Sequence, residues 1–238
     1  MPITVDPSRI LPGKYSYGGR SITDGVHTSV FKSKKTMSIS RTMWHGAPAL
    51  LAVRDGPLIT RVSFDSLVVS ARDLTPLRAT ITYNTQKPVG VIHADFDSAN
   101  IHVVLTGRFD TAASFPYPIV PGQLPFEWTG ALVIPALPLA PGWSGTLRIT
   151  PPIHPRAYKF VDRPWETMAL RVIGRERITV AAGTFDCWKV QVGTTLDQSF
   201  MWVSVDKHFV VRSQTDHRFG DTEFEDQVDL ESFSSAPQ

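Results

Sequence analysis

The chain predicts an all-β protein: an antiparallel β-barrel, or a half-open barrel or sandwich, with one or two short helices as plug or lid. Three observations lead there. Short runs rich in β-branched and aromatic residues recur between turn signals, and helical periodicity is scarce. The stretch from Gly174 to Ser213 reads as four consecutive antiparallel strands, at about 174–180, 184–192, 198–205 and 208–215, with Ala181-Ala182-Gly183 as one hairpin loop and Asp206-Lys207 as a second tight turn. These strands are apolar on both faces: Trp188, Val190 and Val192 point one way and Phe185 and Cys187 the other, while Met201, Val203 and Val205 oppose Phe200 and Trp202. A sheet with one wet face alternates more cleanly. Two explanations stand for the second apolar face. Loops or a helix cover it, or the barrel has an apolar lumen wide enough for a ligand.

The elements follow in order. Residues 1–13 form a Pro-containing lead-in, and 14–19, with Tyr15 and Tyr17, read as an edge strand. Strands at 26–32 and 36–44 flank a basic turn, Ser33-Lys34-Lys35. Strands at 49–54, 58–64 and 66–72 are separated by Asp55-Gly56-Pro57 and by Asp65. Further strands lie at 76–83, 89–96 and 101–107. Residues 108–125 interrupt the series, because Phe115-Pro116-Tyr117-Pro118, Pro121-Gly122 and Pro125 do not suit a regular ladder. This is a long crossover, and 108–140 reads as a lid holding a short helix over 126–134, stopped at Pro135. Strands resume at 144–150, 154–161 and 165–173; 221–233 is a last strand and 234–238 a frayed tail. With no repeat and no domain-scale linker, 1–238 reads as one barrel-like domain.

Composition narrows the function classes. With 238 residues, 42% of them hydrophobic, the core is ample without a metal or disulfide staple. The net charge of +2 comes from scattered residues of both signs, which argues against the basic stripe of a nucleic-acid binder. The single cysteine, Cys187, reads as a small buried hydrophobe. Gly-rich phosphate loops, Cys pairs, H-E-x-x-H and G-x-S-x-G are absent from the sequence, and no cofactor is expected. No apolar run reaches membrane-spanning length, and the opening Met1-Pro2-Ile3-Thr4-Val5-Asp6-Pro7 lacks the basic and apolar regions of a signal peptide.

Two groups of residues are candidates for chemistry. If Ser98-Ala99 is the turn of the 91–104 hairpin, Asp95 pairs with His102 and His93 shares their face, a set that could ligate a metal or form an acid–base pair. The same alternation is also what a half-exposed hairpin shows with no site at all. Trp44-His45-Gly46 is a second candidate, at a strand end, whereas His27, His154, His208 and His217 stand alone. The second group is aromatic: Phe115, Tyr117, Phe126 and Trp128 in the crossover, with Trp202 on the meander, are the expected ligand-binding residues.

The segment I-T-V-A-A-G-T-F-D-C-W-K-V over 178–190, followed by W-V-S-V-D and V-V-R-S, resembles the C-terminal part of the bacterial domain-of-unknown-function 3108 family. Asp65-Ser66-Leu67 with Leu74-Thr75-Pro76-Leu77, and Leu137-Pro138-Leu139 with Gly142-Trp143, are similar to two further segments of that family. The resemblance implies a half-open β-barrel like the lipoprotein carriers. It implies a non-enzymatic envelope protein that binds or carries a lipid or other apolar small molecule. It implies a periplasmic or envelope location if a signal peptide has been removed; otherwise the protein is cytoplasmic. The alternative function is a cavity-based hydrolase or lyase, metal-dependent or not, that uses His93, Asp95 and His102.

Overall fold

The computed structural model describes residues 3–23, 33–55, 62–83, 90–106, 111–116, 119–124, 128–149, 166–193, 198–219 and 222–236. The β-branched runs form one antiparallel sheet of fourteen strands among these residues. Its first half is β1 (Gly13–Thr23), β2 (Ser33–Trp44), β3 (Ala47–Asp55), β4 (Val62–Ser70), β5 (Pro76–Tyr83), β6 (Gly90–Phe96), β7 (Asn100–Thr106) and β8 (Thr111–Pro116). Its second half is β9 (Ser144–Ile149), β10 (Glu166–Val180), β11 (Gly183–Gly193), β12 (Gln198–Ser204), β13 (Val210–Phe219) and β14 (Thr222–Ser235). The spatial order is β8-β7-β6-β5-β4-β3-β2-β1-β14-β13-β12-β11-β10-β9. Two meanders thus run outward from a central β1–β14 pair, and β8 and β9, successive in sequence, are the two edges among the described residues. This is a barrel left open between β8 and β9.

Local chemistry explains the turns. His45 and Gly46 both have positive φ, 47° and 83°, the combination a two-residue hairpin needs to match strand twist. Asp97 accepts the backbone N–H groups of Ala99 and Asn100 at 2.7 and 2.6 Å and so fixes the β6–β7 turn.

The inner face is built from aligned apolar positions. Ile39, Ala52, Leu67, Ala79, Ala94 and Val103 form one row across β2 to β7, each paired with the next and all buried. The crossover covers this face. It contains a single π-helical turn, Thr129–Val133, and a 3-10 turn, Ile134–Ala136, and Leu124, Trp128, Leu132, Val133, Ile134, Ala136 and Leu137 are all buried. The lead-in belongs to the same plug. The Asp6 N–H donates to the Ala136 carbonyl at 2.8 Å, and Arg9 Nη1 donates to the Leu137 carbonyl at 2.8 Å. Val5 lies against Gly122, Ile3 against Gly145, and Met201 of β12 against Gly130. A side chain at Gly130 would strike the Met201 methyl, 2.7 Å from where its Cβ would stand.

Several expectations are corrected. Residues 14–19 are central, since β1 finds its second partner in β14. Ser33, Lys34 and Lys35 are not a turn but the start of β2, paired with Gly19, Gly18 and Tyr17. Asp65 does not separate two strands; it lies within β4 opposite Arg54, which neutralises it. The crossover contains a strand after all, β8, paired with β7. Residues 166–180 form one strand, with a bulge between Val172 and Gly174. Pro135 does not stop the helical segment, because it falls in the first turn of the 3-10 element, where its missing N–H leaves no bond unmade. Ser234 and Ser235 continue β14. The strands expected at 26–32 and 154–161 and the Gly56-Pro57 turn lie outside the described residues.

Candidate functional site on the inner wall

Met201 fixes which face looks inward, because it touches the plug. Pairing then places Val190, Ser213, Val228 and Gly19 on the same inner row. One end of this wall is apolar. Tyr15, Met37, Ile39, Phe209, Val211 and Leu230 are buried there, and Phe185 and Phe233 complete an aromatic cluster with ring centroids 4.8–5.8 Å apart. The Ala182 N–H at the β10–β11 tip donates to the Leu230 carbonyl at 3.3 Å and ties that end down. A cavity of about 10 Å³, room for roughly one water, lies between Tyr15, Tyr17, Met37, Phe209, Ala131 and Pro135.

Toward the other strand ends the wall becomes polar. Ser199 donates to Thr215 at 3.1 Å, and Thr215 pairs with Asp226. On the adjoining strands lie Lys35, opposite Tyr17, and Arg54, opposite Asp65. Arg54 Nε donates to Asp65 Oδ1 at 2.9 Å and its Nη2 contacts Oδ2, a two-point pair with Asp65 only 4% exposed. The Arg54 guanidinium also lies 4.3 Å from the centre of the Trp128 ring, so the plug rests on this pair. Lys35 is half-buried, and its ammonium is held below the usual lysine range by burial and then by the Arg54 charge, with Asp226 opposing both. Tyr17 donates its hydroxyl to the Val210 carbonyl at 3.2 Å, and burial pushes its ionisation up. Sequence reasoning missed Lys35, Arg54, Asp65 and Asp226 as a group. The available signal was a carboxylate inside an otherwise strand-like run, S-F-D-S-L-V-V.

The expected site residues fall in several places. Asp95 does stand opposite His102, with Ser98 and Ala99 at the turn. The three side chains do not converge, however. Asp95 takes Arg78 Nε at 2.5 Å and Nη2 at 3.0 Å. His93 Nδ1 meets Thr80 Oγ at 3.2 Å. His102 lies between Ser114 Oγ, 2.7 Å from Nδ1, and Asp97 Oδ2, 2.8 Å from Nε2. All three are on the outer face, opposite buried Ile92, Ala94, Ile101 and Val103. No three His, Cys, Asp or Glu side chains are grouped as metal ligands among the described residues. Trp44-His45-Gly46 is the β2–β3 turn, with the Trp44 and His45 rings 4.8 Å apart. Trp128 sits in the plug, 2% exposed. Trp202 is also buried but on the outer face, where its Nε1 donates to Glu176 Oε2 at 2.7 Å beside Lys189. That bond first, and Lys189 after it, hold the Glu176 carboxyl below its usual range. Phe115 lies in β8, while Tyr117 and Phe126 lie outside the described residues.

Cys187 is fully buried, and burial first, then the Asp186 charge, push its thiol up to about 12. It is therefore expected to resist iodoacetamide at pH 8 in the folded protein and to react fully in denaturant. Rapid labelling of the native protein, followed by mass spectrometry, would contradict its placement.

Residues 33–225 match the family described as protein of unknown function (DUF3108), and the chain belongs to that family. No curated protein matches it. Among solved structures, it is similar to a β-barrel-like protein of domain of unknown function DUF1849 from Brucella abortus, at 10% identity and a TM-score of 0.55, with 97% of this chain and 100% of that one covered. This likeness shows the fold. A protein with a YmcC-like fold from Bacteroides fragilis also matches, at 14% identity, covering 98% and 100% of the two chains, with a TM-score of 0.34. No helix among the described residues is long and apolar enough to cross a membrane.

Proposed function

We propose that the protein is a non-enzymatic carrier that holds a lipid or other apolar chain on the inner wall of its open barrel. One observation carries this reading. The wall runs from a buried aromatic and aliphatic end, around Tyr15, Met37 and Phe209, to a polar end with Ser199, Thr215 and the Arg54–Asp65 pair. Such a gradient suits a molecule with an apolar body and a polar head. The cavity of about 10 Å³ at the apolar end is too small for a chain, so a chain lying there displaces part of the plug at 128–137. Most of its hold on the wall is through apolar contact, and an incoming chain replaces this in kind, at about 0.8 kcal/mol per methylene before association costs. Trp128 is the aromatic residue the ligand would displace or line up against. The cell-envelope location rests on the resemblance to lipoprotein-carrier-like barrels, and cell fractionation tests it separately.

The test is a titration with Nile red, followed by competition with unlabelled fatty acids and phospholipids. Saturable binding in the micromolar range, reversed by a competitor, is the expected result. Failure of every lipid to bind, with the protein folded, removes the carrier reading. The enzyme alternative has no comparable observation behind it, because His93, Asp95 and His102 face away from the wall and are engaged separately.

A further inference from the structure

Lys35 is the charge on the inner wall whose role the fold does not explain. It is half-buried on β2 opposite Tyr17. It makes no hydrogen bond or ion pair among the described residues. Arg54, a like charge, acts on it from β3 and is itself paired with Asp65; Asp226 of β14 is the opposing carboxylate. Burial and Arg54 outweigh Asp226, so the ammonium is poorly compensated by the groups around it. A fold that needed only packing at this position would be served by an apolar residue, as at Met37 and Ile39 on the same face. Along β2 those two residues follow Lys35 in steps of roughly 6.6 Å, so a head at Lys35 leaves an attached chain lying over Met37 and Ile39.

We propose that Lys35 is the headgroup contact for an anionic amphiphile: its ammonium takes the carboxylate or phosphate of a ligand whose apolar chain runs along Tyr17, Met37 and Ile39. This rests on the carrier reading and names the ligand class. The anion supplies the compensation that the protein leaves out, and Arg54 adds to the field without giving up Asp65. Neutral lipids lack this contact, so the site selects by charge at one end and by apolar bulk at the other.

The experiment compares dodecanoate, monododecyl phosphate and methyl dodecanoate as competitors of Nile red on the full chain, with inorganic phosphate as a headgroup without a chain. The better anion is expected to bind at least about tenfold more tightly than the ester, the contribution of one charge-assisted hydrogen bond. In Lys35→Met this ratio should fall to about one, and Lys35→Arg should restore it. Lys35→Gln serves as the neutral variant if Lys35→Met does not fold by circular dichroism. Preference between dodecanoate and the phosphate distinguishes a fatty acid from a phospholipid-like head. A ratio near one in the unmodified protein, or one that survives loss of the Lys35 charge, overturns the headgroup assignment and leaves the carrier reading intact. Binding by none of the three chains overturns both.

Discussion

Trp128→Ala is expected to lower the unfolding free energy by about 3–5 kcal/mol, the usual range for deleting a large buried aromatic. Trp128 is 2% exposed and lies at the start of the plug, beside the buried run from Leu132 to Leu137. Its removal leaves a void between two rigid layers, and the Arg54 guanidinium, 4.3 Å from the ring centre, loses its platform. The cation–π contact adds on the order of 1 kcal/mol. Trp128→Phe should lose much less, since it keeps a ring under the guanidinium. Urea unfolding followed by circular dichroism measures the difference. A loss under about 1 kcal/mol would mark the plug as a surface flap. Trp188 provides a comparison: it is only half-buried, so its truncation should cost less than that of Trp128.

Asp65→Ala is the second large effect, at about 3–5 kcal/mol. The loss is that of the two-point pair which Asp65, 4% exposed, makes with the Arg54 guanidinium on the inner wall. Arg54→Met combined with Asp65→Leu should be more stable than Asp65→Ala alone, because the two buried charges are then removed together and replaced by apolar volume. Equal stability of the single and double variants would show that water reaches the pair freely.

Local pattern revealed the strands and little of their arrangement. The 76–83 strand and the 91–104 hairpin were readable to the residue, because alternation and turn chemistry are local. The side chains sharing a face on β11 and β12 were also readable, with Trp188 and Val190 apart from Cys187, and Met201 and Val203 apart from Trp202. Alternation does not say which face looks inward. Trp202 was therefore expected at the ligand, whereas Met201 meets the plug. Asp65 resembled a strand breaker because its neutralising partner, Arg54, is invisible until β3 and β4 are paired. Lys35 resembled part of a basic turn because its strand partner Tyr17 lies across a separate run. The crossover half of the plug was readable as a lid, but its other half, residues 3–11, was read as lead-in, because the Asp6–Ala136 and Arg9–Leu137 bonds that unite the two pieces join segments far apart in sequence.

The pairing of β1 with β14 also sets a timetable. Neighbouring hairpins such as β2–β3 can close as soon as their own residues leave the ribosome, whereas Tyr15 must wait for Phe233 and Tyr17 for Leu230. Until then β1 has a bare edge, and its companion in the middle of the finished barrel does not yet exist. A nascent chain stalled before Thr222 would present that edge, with both tyrosines on it, to any strand nearby. The join between beginning and end is thus the step most exposed to aggregation during synthesis, and the one a chaperone has most reason to guard.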